Sequence, residues 1–370
     1  MYDDYEIDVI TYRDGSINME VLKSFSKSKF YFFSSSYQTS KKSSYLGRLF
    51  SKTLPGFSSH DPIAIAQEIE KILIKNRDYK ILYFATQLMG QARLYLKTNI
   101  HSILDLYDIY STYSKSKLKK VNILRPYFLI FFLEAIRVKR FEKRIIKNFE
   151  TILVTCEENF ESIPNLDSNS NIIQISNGTL FPKNPNICKG ESVLMVGNFE
   201  YSGNYEGIQW FIHHVWPIFK SRNDSDLVLV GKFPKKLEKL VEGDSRIKLT
   251  GLVPLLEPYY KRAICAITPL FNDGGTKTKL IEALAYGVPI ISTPIGAKGF
   301  EFMTTIKITE EPNLFSDYIH SLFECEYPFD ELKKNQNFIK NKFTWKKIGQ
   351  DLNSAISKRI IGKKYSPLND

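Results

Sequence analysis

Between Ala263 and Phe300 the chain sets two glycines, two lysines and a glutamate in an order that suits an anionic ligand. An apolar strand ends at Thr268-Pro269, a loop with Asp273, Gly274 and Gly275 follows, and a helix opens near Thr276. Paired glycines let a backbone come close to a ligand. The free N–H groups at a helix start, with the positive end of its dipole, favour a phosphate. Lys277 and Lys279 add positive charge. Glu282 sits deeper on the helix, where a carboxylate can accept hydrogen bonds from the two hydroxyls of a ribose. Phosphate at the helix start and ribose on the glutamate together describe a nucleotide diphosphate. The same spacing also fits a glycine-capped helix between two strands with solvated lysines, and the pattern alone leaves both readings open.

Other titratable residues are less directed. Asp105 and Asp108 stand at the end of a strand, Ser102–Leu106. In open α/β sheets the C-terminal strand ends face the ligand crevice, but an Asp there also caps turns. Asp224-Ser225-Asp226 precedes a strand rather than following one and reads as a turn. His213 and His214 are adjacent on a helix and point about 100° apart. No group of His, Cys and Asp has metal-ligand spacing, so no metal is expected. Cys156, Cys188, Cys265 and Cys325 form no CxxC pair, which fits free thiols in a reducing compartment.

The elements that must position these residues alternate. Strands are expected at Glu6–Tyr12, Lys29–Phe33, Lys80–Phe84, Ser102–Leu106, Thr151–Thr155 and Asn171–Ile175, with helices at Ala64–Asn76, Pro126–Asn148 and Glu157–Ile163. A second series has strands at Val193–Gly197, Leu227–Val230, Ile247–Thr250, Ala263–Thr268, Pro289–Ser292 and Ile306–Ile308. Its helices are Glu206–Lys220, Lys235–Val241, Pro254–Lys261, Thr276–Tyr286 and Asn313–Phe323, followed by Asp330–Asn341 and Trp345–Ser357. Alternation of this kind predicts α/β structure with two doubly wound parallel sheets in tandem. A length of 370 residues agrees with two domains. The boundaries drawn are 1–178, 190–345 and a C-terminal helix and tail, 346–370, with Ser176–Glu191 as hinge. The first domain opens directly on Glu6–Tyr12 and is expected to lack a first βα unit.

The stretch around Glu282 resembles the donor-binding signature of the family-4 (group 1) glycosyltransferases of the GT-B fold. The matching residues are Gly274, Gly275, Thr276, Lys279, Leu280, Glu282, Ala283, Leu284, Ala285, Gly287, Pro289, Thr293, Gly296, Ala297 and Gly299. Val196-Gly197-Asn198, Asn204, Trp210-Phe211 and Pro217 resemble the first strand, phosphate-side loop and helix of that family's donor domain. Val230-Gly231 and Leu249–Val253 resemble its next strands, and the resemblance puts the nucleotide base at the Gly251–Val253 turn. Where the family carries a first glutamate this chain has Gly274, with Asp273 as the neighbouring carboxylate. Asp105, Asp108, Ser111, Glu134, Arg137 and Glu142 resemble a second pattern, found in polysaccharide-building members, in which Tyr107 replaces a histidine.

The resemblance implies two Rossmann-like domains facing a cleft, which close about the hinge. It implies transfer of a sugar from a nucleotide diphosphate sugar, UDP or GDP, to a glycan or lipid-linked hydroxyl, with retention of configuration, in surface polysaccharide biosynthesis. Asp105, Asp108 and Asp273 are then the catalytic candidates. Gly197, Asn204, Val253, Gly274, Gly275, Thr276, Lys277, Lys279 and Glu282 would hold the donor, with no resident cofactor. A truncated, non-catalytic relative and a sugar-nucleotide epimerase are the alternatives.

The net charge is +11, and Lys115–Lys147 alone holds eleven Lys and Arg against Glu134 and Glu142. Such a surface attracts polyanions. Residues 115–147 and 41–54 mix cations with aromatic and apolar residues, the composition of a segment that rests on anionic lipid or of a core helix with a basic outer face. No stacking platform or nucleic-acid module is present, so nucleic acid is not an expected partner. The first residues are acidic, not a signal peptide. The longest apolar run, Tyr127–Leu133, is far short of the roughly 20 residues a spanning helix needs. The expected location is cytoplasmic, with peripheral attachment to the inner face of the plasma membrane as its extension.

Overall fold

The structure, a computed structural model, describes residues 6–12, 29–33, 61–76, 78–106, 109–111, 114, 118, 128–155, 163, 171–271 and 278–357. Of the expected features, residues 41–54, the helix Glu157–Ile163 before its last residue, Asp108, and Asp273 through Lys277 lie outside the described residues. The chain divides into two compact units, 1–176 with 349–370, and 177–348.

In the first unit β1 (Val9–Tyr12) pairs in parallel with β2 (Phe30–Phe33). Asp61 then caps helix α1 (Pro62–Lys75), its carboxylate accepting from the Ile63 N–H at 2.9 Å, with Pro62 at the first helical position. The strands β3 (Ile81–Phe84), β4 (His101–Leu106), β5 (Thr151–Val154) and β6 (Asn171–Gln174) form a parallel sheet in that order. Between β3 and β4 lie a one-turn helix α2 (Gln87–Gly90) and a 3₁₀ turn, Gln91–Tyr95, and α3 (Phe128–Ile146) leads into β5. Leu104, Leu106, Ile152 and Val154 face Ile65 and Ile69 of α1 and Ile145 and Ile146 of α3. On the other face Ile103, Leu153 and Ile173 are covered by Leu352, Ala355 and Ile356. Both faces are thus buried, as strands with continuous apolar runs require.

The second unit is a six-stranded sheet, wholly parallel: β7 (Ser192–Val196), β8 (Leu227–Val230), β9 (Ile247–Gly251), β10 (Ala263–Thr268), β11 (Ile290–Ser292) and β12 (Ile306–Ile308), in the spatial order β12-β11-β10-β7-β8-β9. The chain starts in the middle, winds outward to β9, returns beside β7 at β10 and winds out the other way. The reversal falls between β7 and β10, and open α/β sheets bind ligands beyond the C-terminal strand ends at such a point. One face packs α4 (Ser202–Trp210), α5 (Trp216–Lys220) and, further along the chain, α10 (Pro312–Glu324), with Phe211, Trp216, Phe219 and Phe315 buried between them. The other packs α7 (Glu257–Arg262), α8 (Thr278–Ala285) and α11 (Phe329–Lys342) through Tyr260, Leu280, Leu284 and Ile339. The short helices α6 (Lys235–Val241) and α9 (Pro294–Ala297) complete the unit, and α12 (Trp345–Ile356) begins in it.

One local departure from the expected elements has a clear cause. The helix expected from Glu206 begins at Ser202 and widens into a π-turn over Phe211–Val215, where the Trp216 N–H reaches back to the Phe211 carbonyl. Pro217 lacks an N–H and cannot continue an α ladder, and the wider turn absorbs the break. The last helix joins the two units: from Gly349 onward it groups with the first. Among the described residues no helix is long and apolar enough to cross a membrane.

Candidate functional site

The crest of the second sheet is built from bare backbone. Gly197 follows β7, Gly231 follows β8, and Gly251 ends β9. Gly231 has φ +132°, and a Cβ on it would stand 1.9 Å from the Gly197 carbonyl oxygen, so no other residue fits. The Gly197 N–H donates to Val230 O and the Gly231 N–H to Gly251 O, both at 2.9 Å, which joins the three strand exits into one rim. Asn204 donates from Nδ2 to the Asn198 carbonyl at 2.8 Å, and Asn198 Oδ1 accepts from the Glu200 N–H. Its amide therefore braces the loop between β7 and α4. Val253, beyond the left-handed Gly251, is half-buried and packs among the residues around Tyr260, whereas Leu252 is 78% exposed.

The exit of β10 is clamped from both sides. Gly207 of α4 lies so close that a Cβ would be 2.0 Å from Pro269 O, and Gly296 of α9 would meet Thr268 O at 2.1 Å. The Thr268 hydroxyl donates to Ser292 Oγ at 2.7 Å, the Ser292 hydroxyl donates back to Thr268 O at 3.0 Å, and Thr293 donates to Leu270 O. Phe271 packs edge-on against Trp210 with ring centroids 5.0 Å apart. This rigid frame delivers the chain to the loop whose Asp273, Gly274, Gly275, Thr276 and Lys277 lie outside the described residues.

Glu282 lies one turn into α8, its side chain 20% exposed. Its Oε2 accepts from the Tyr260 hydroxyl at 3.2 Å and from Lys279 Nζ at 3.1 Å. Among the described residues Oε1 accepts no hydrogen bond. The positive charge of Lys279 is therefore matched by the same carboxylate. Tyr260, buried on α7, is stacked on Tyr286 at 4.6 Å and 11°. Burial, and then the neighbouring carboxylate, push the Tyr260 hydroxyl well above its ordinary range, so it stays a donor. Neither tyrosine stands out in the sequence, because nothing in the residue spacing announces a contact between a helix before β10 and one after it.

Asp105 lies in the first unit, next to last in β4, and accepts from the Tyr83 hydroxyl of β3 at 2.5 Å. Burial raises its carboxyl above the usual range, against the pull of that bond. Glu142 on α3 is buried and accepts from Gln87 Nε2 at 2.7 Å, from the Ser111 hydroxyl, and from the backbone N–H groups of Ser111 and Tyr110. It anchors the segment that follows β4. The structure thus places Gly197, Asn204, Val253, Lys279 and Glu282 in the second unit and Asp105 in the first.

Residues 190–324 match the family described as glycosyl transferases group 1. A curated relative from Klebsiella pneumoniae, an uncharacterized 44.6 kDa protein in the cps region, is 25% identical over 169 residues, 42% of this chain and 44% of that protein. The aligned part is thus less than half of the relative's length. Among solved structures, sucrose-phosphate synthase from Thermosynechococcus elongatus superposes with a TM-score of 0.65 at 14% identity, over 96% of this chain and 99% of that one. Anabaena Alr3699/HepE in complex with UDP-glucose gives 0.64 at 11% identity, over 95% and 99%. A glycosyltransferase from Rickettsia africae gives 0.62 at 14%, over 95% and 90%. Residues 190–324 are thus similar to the group 1 glycosyltransferases, and the chain as a whole has the GT-B fold of two Rossmann-like domains.

Proposed function

We propose that the protein transfers a sugar from a UDP- or GDP-linked donor to a hydroxyl of a glycan or lipid-linked acceptor, with retention of configuration, in surface polysaccharide biosynthesis. The observation that carries this reading is Glu282. Its carboxylate is held through Oε2, has no hydrogen bond to Oε1 among the described residues, and sits one turn inside a helix that follows the order reversal of the sheet. A ribose diol on that carboxylate puts the attached pyrophosphate toward the start of α8. There helix N–H groups favour it, and the loop glycines with Lys277 would complete the cradle. The departing diphosphate is then stabilised by fixed dipoles and lysine charge, in a scheme that calls for no resident cofactor or metal. The cps-region relative and the UDP complexes among the structural neighbours support the pathway and the donor class. By the same resemblance Asp105, Asp108 and Asp273 are the proposed catalytic carboxylates.

The test is calorimetric titration with UDP, GDP and UDP-glucose, followed by an assay for transfer to acceptor. Hydrogen bonds to a charged group contribute roughly 1.5–3 kcal/mol, so Glu282→Gln should weaken nucleotide binding about tenfold or more. Equal affinity in the variant would refute the ribose assignment. Turnover of the donor without any acceptor would favour an epimerase.

The outward stripe of α3 extends the proposal to an anionic membrane surface. Leu129, Phe132 and Leu133 are exposed on its first turns, and Lys139, Arg140, Lys143 and Arg144 follow on the later ones. Apolar side chains that reach the acyl boundary beside cations on the headgroups are the elements of interfacial attachment. Such attachment would hold the enzyme near a lipid-linked acceptor.

A further inference from the structure

We infer that Tyr260 is a positioning residue for the donor ribose: its hydroxyl fixes the Glu282 carboxylate through Oε2 so that the other oxygen, Oε1, is presented to the diol. The inference rests on the ribose reading of Glu282 and extends it to a residue on another helix, one that need not touch the nucleotide.

The argument begins with what a tyrosine is doing in this place. Tyr260 is 1% exposed and lies in the apolar layer between β10, α8 and α11, beside Leu280, Leu284 and Ile339. Phenylalanine would fill that layer equally well, and a buried hydroxyl is costly unless it finds a partner. The partner it finds is Glu282 Oε2, 3.2 Å away. The ring cannot drift from it. Tyr286 is stacked on one face, the Tyr260 carbonyl is tied to the Ala263 N–H, and the Tyr286 N–H in turn holds the Glu282 carbonyl at 3.2 Å. Backbone and side chain of Glu282 are therefore both registered to this pair of rings.

Lys279 cannot do the same work. It reaches the same oxygen at 3.1 Å, but from the same helix three residues away, on a long side chain that is 44% exposed. An exposed ammonium on a flexible stem balances charge without fixing an orientation. A carboxylate held by a buried donor on a packed ring is restricted in orientation, and a rigid acceptor loses less entropy when a ligand arrives. The cost of losing Tyr260's hydroxyl should therefore fall on discrimination at the ribose, not on folding.

The experiment measures binding of UDP, 2′-deoxy-UDP and 3′-deoxy-UDP by calorimetry, or the GDP series if GDP binds more tightly, in wild type, Tyr260→Phe, Tyr286→Phe and Glu282→Gln. Thermal unfolding of each variant is recorded in parallel. In Tyr260→Phe the preference for the ribonucleotide over the deoxy forms should shrink roughly fivefold to tenfold, while the ring stack and the folded state persist. Tyr286→Phe keeps the same stack and leaves the hydroxyl of Tyr260 in place, so its preference should match wild type. If Glu282→Gln loses the preference and Tyr260→Phe keeps it in full, the positioning role is overturned and the ribose reading stands. If Glu282→Gln itself keeps the preference, the ribose reading falls and this inference falls with it.

Discussion

Glu142 is a carboxylate surrounded by donors. It is 2% exposed, and Gln87, Ser111 and the Tyr110 backbone all point hydrogen atoms at it. Burial, the largest influence, nevertheless pushes its carboxyl above the ordinary value of 4.5. An acid whose folded pKa is raised contributes stability below its unfolded value and loses that contribution as pH rises through the folded one. Glu142→Gln should therefore gain on wild type as pH goes from about 4.5 to 7, read from urea unfolding at each pH; a gap that narrows with rising pH would mean that the bonds outweigh burial. Glu142→Ala leaves several buried donors without an acceptor and should cost about 3 kcal/mol at pH 7. At this scale the sequence exposes Glu282, because a glycine loop, a helix start and a carboxylate lie within ten residues of one another. It conceals Tyr260 and Gln87, because their partners are 22 and 55 residues away along the chain. Asn204, a donor-contact candidate by resemblance, has its amide engaged in bracing its own loop.

The elements were legible where their periodicity runs over many residues. Among the described residues the strands of both units fall where the short apolar runs put them, as do the long helices that cover them. The short pieces were not. Gln87–Tyr95 and Pro294–Ala297 are too short to show a helical period, and the π-turn at Phe211–Val215 follows from a single proline. What the elements require most strongly is close approach at the sheet's crest. Gly231 combines a left-handed φ with a Cβ position 1.9 Å from a carbonyl oxygen, whereas Gly243 has φ +89° and open space around it. Gly243→Ala should cost about 1 kcal/mol, from backbone strain alone. Gly231→Ala should cost about 3 kcal/mol or more, because strain and overlap act together and the rim from Gly197 to Gly251 must shift. The difference in denaturant midpoints, with an unchanged slope, is the measurement. Equal costs would mean that the crest relaxes freely and is no rigid frame.

At the scale of the whole molecule the chain passes twice from one unit to the other, at residue 176 and again within α12. The second passage was not legible, since an amphipathic helix at the end of a chain does not declare which sheet it covers. Here Leu352, Ala355 and Ile356 close the face of Ile103, Leu153 and Ile173. Charge, by contrast, is a property of the sum. The net +11 is concentrated before and along α3, whose outer stripe turns from apolar to cationic along its length. A purely electrostatic surface and an inserting one behave differently, and salt separates them. Each Lys or Arg near an anionic surface adds about 1 kcal/mol, an attraction screened beyond roughly 8–10 Å at physiological salt. Apolar insertion is indifferent to salt. The protein should therefore sediment with vesicles of phosphatidylcholine and phosphatidylglycerol and not with phosphatidylcholine alone. Lys143→Glu with Arg144→Glu should abolish the binding. Leu129→Ser with Phe132→Ser should weaken it and make the remainder fully salt-sensitive. Binding that ignores lipid charge, or that survives both pairs of substitutions, would remove α3 from the membrane and leave its basic stripe as an ordinary solvated face.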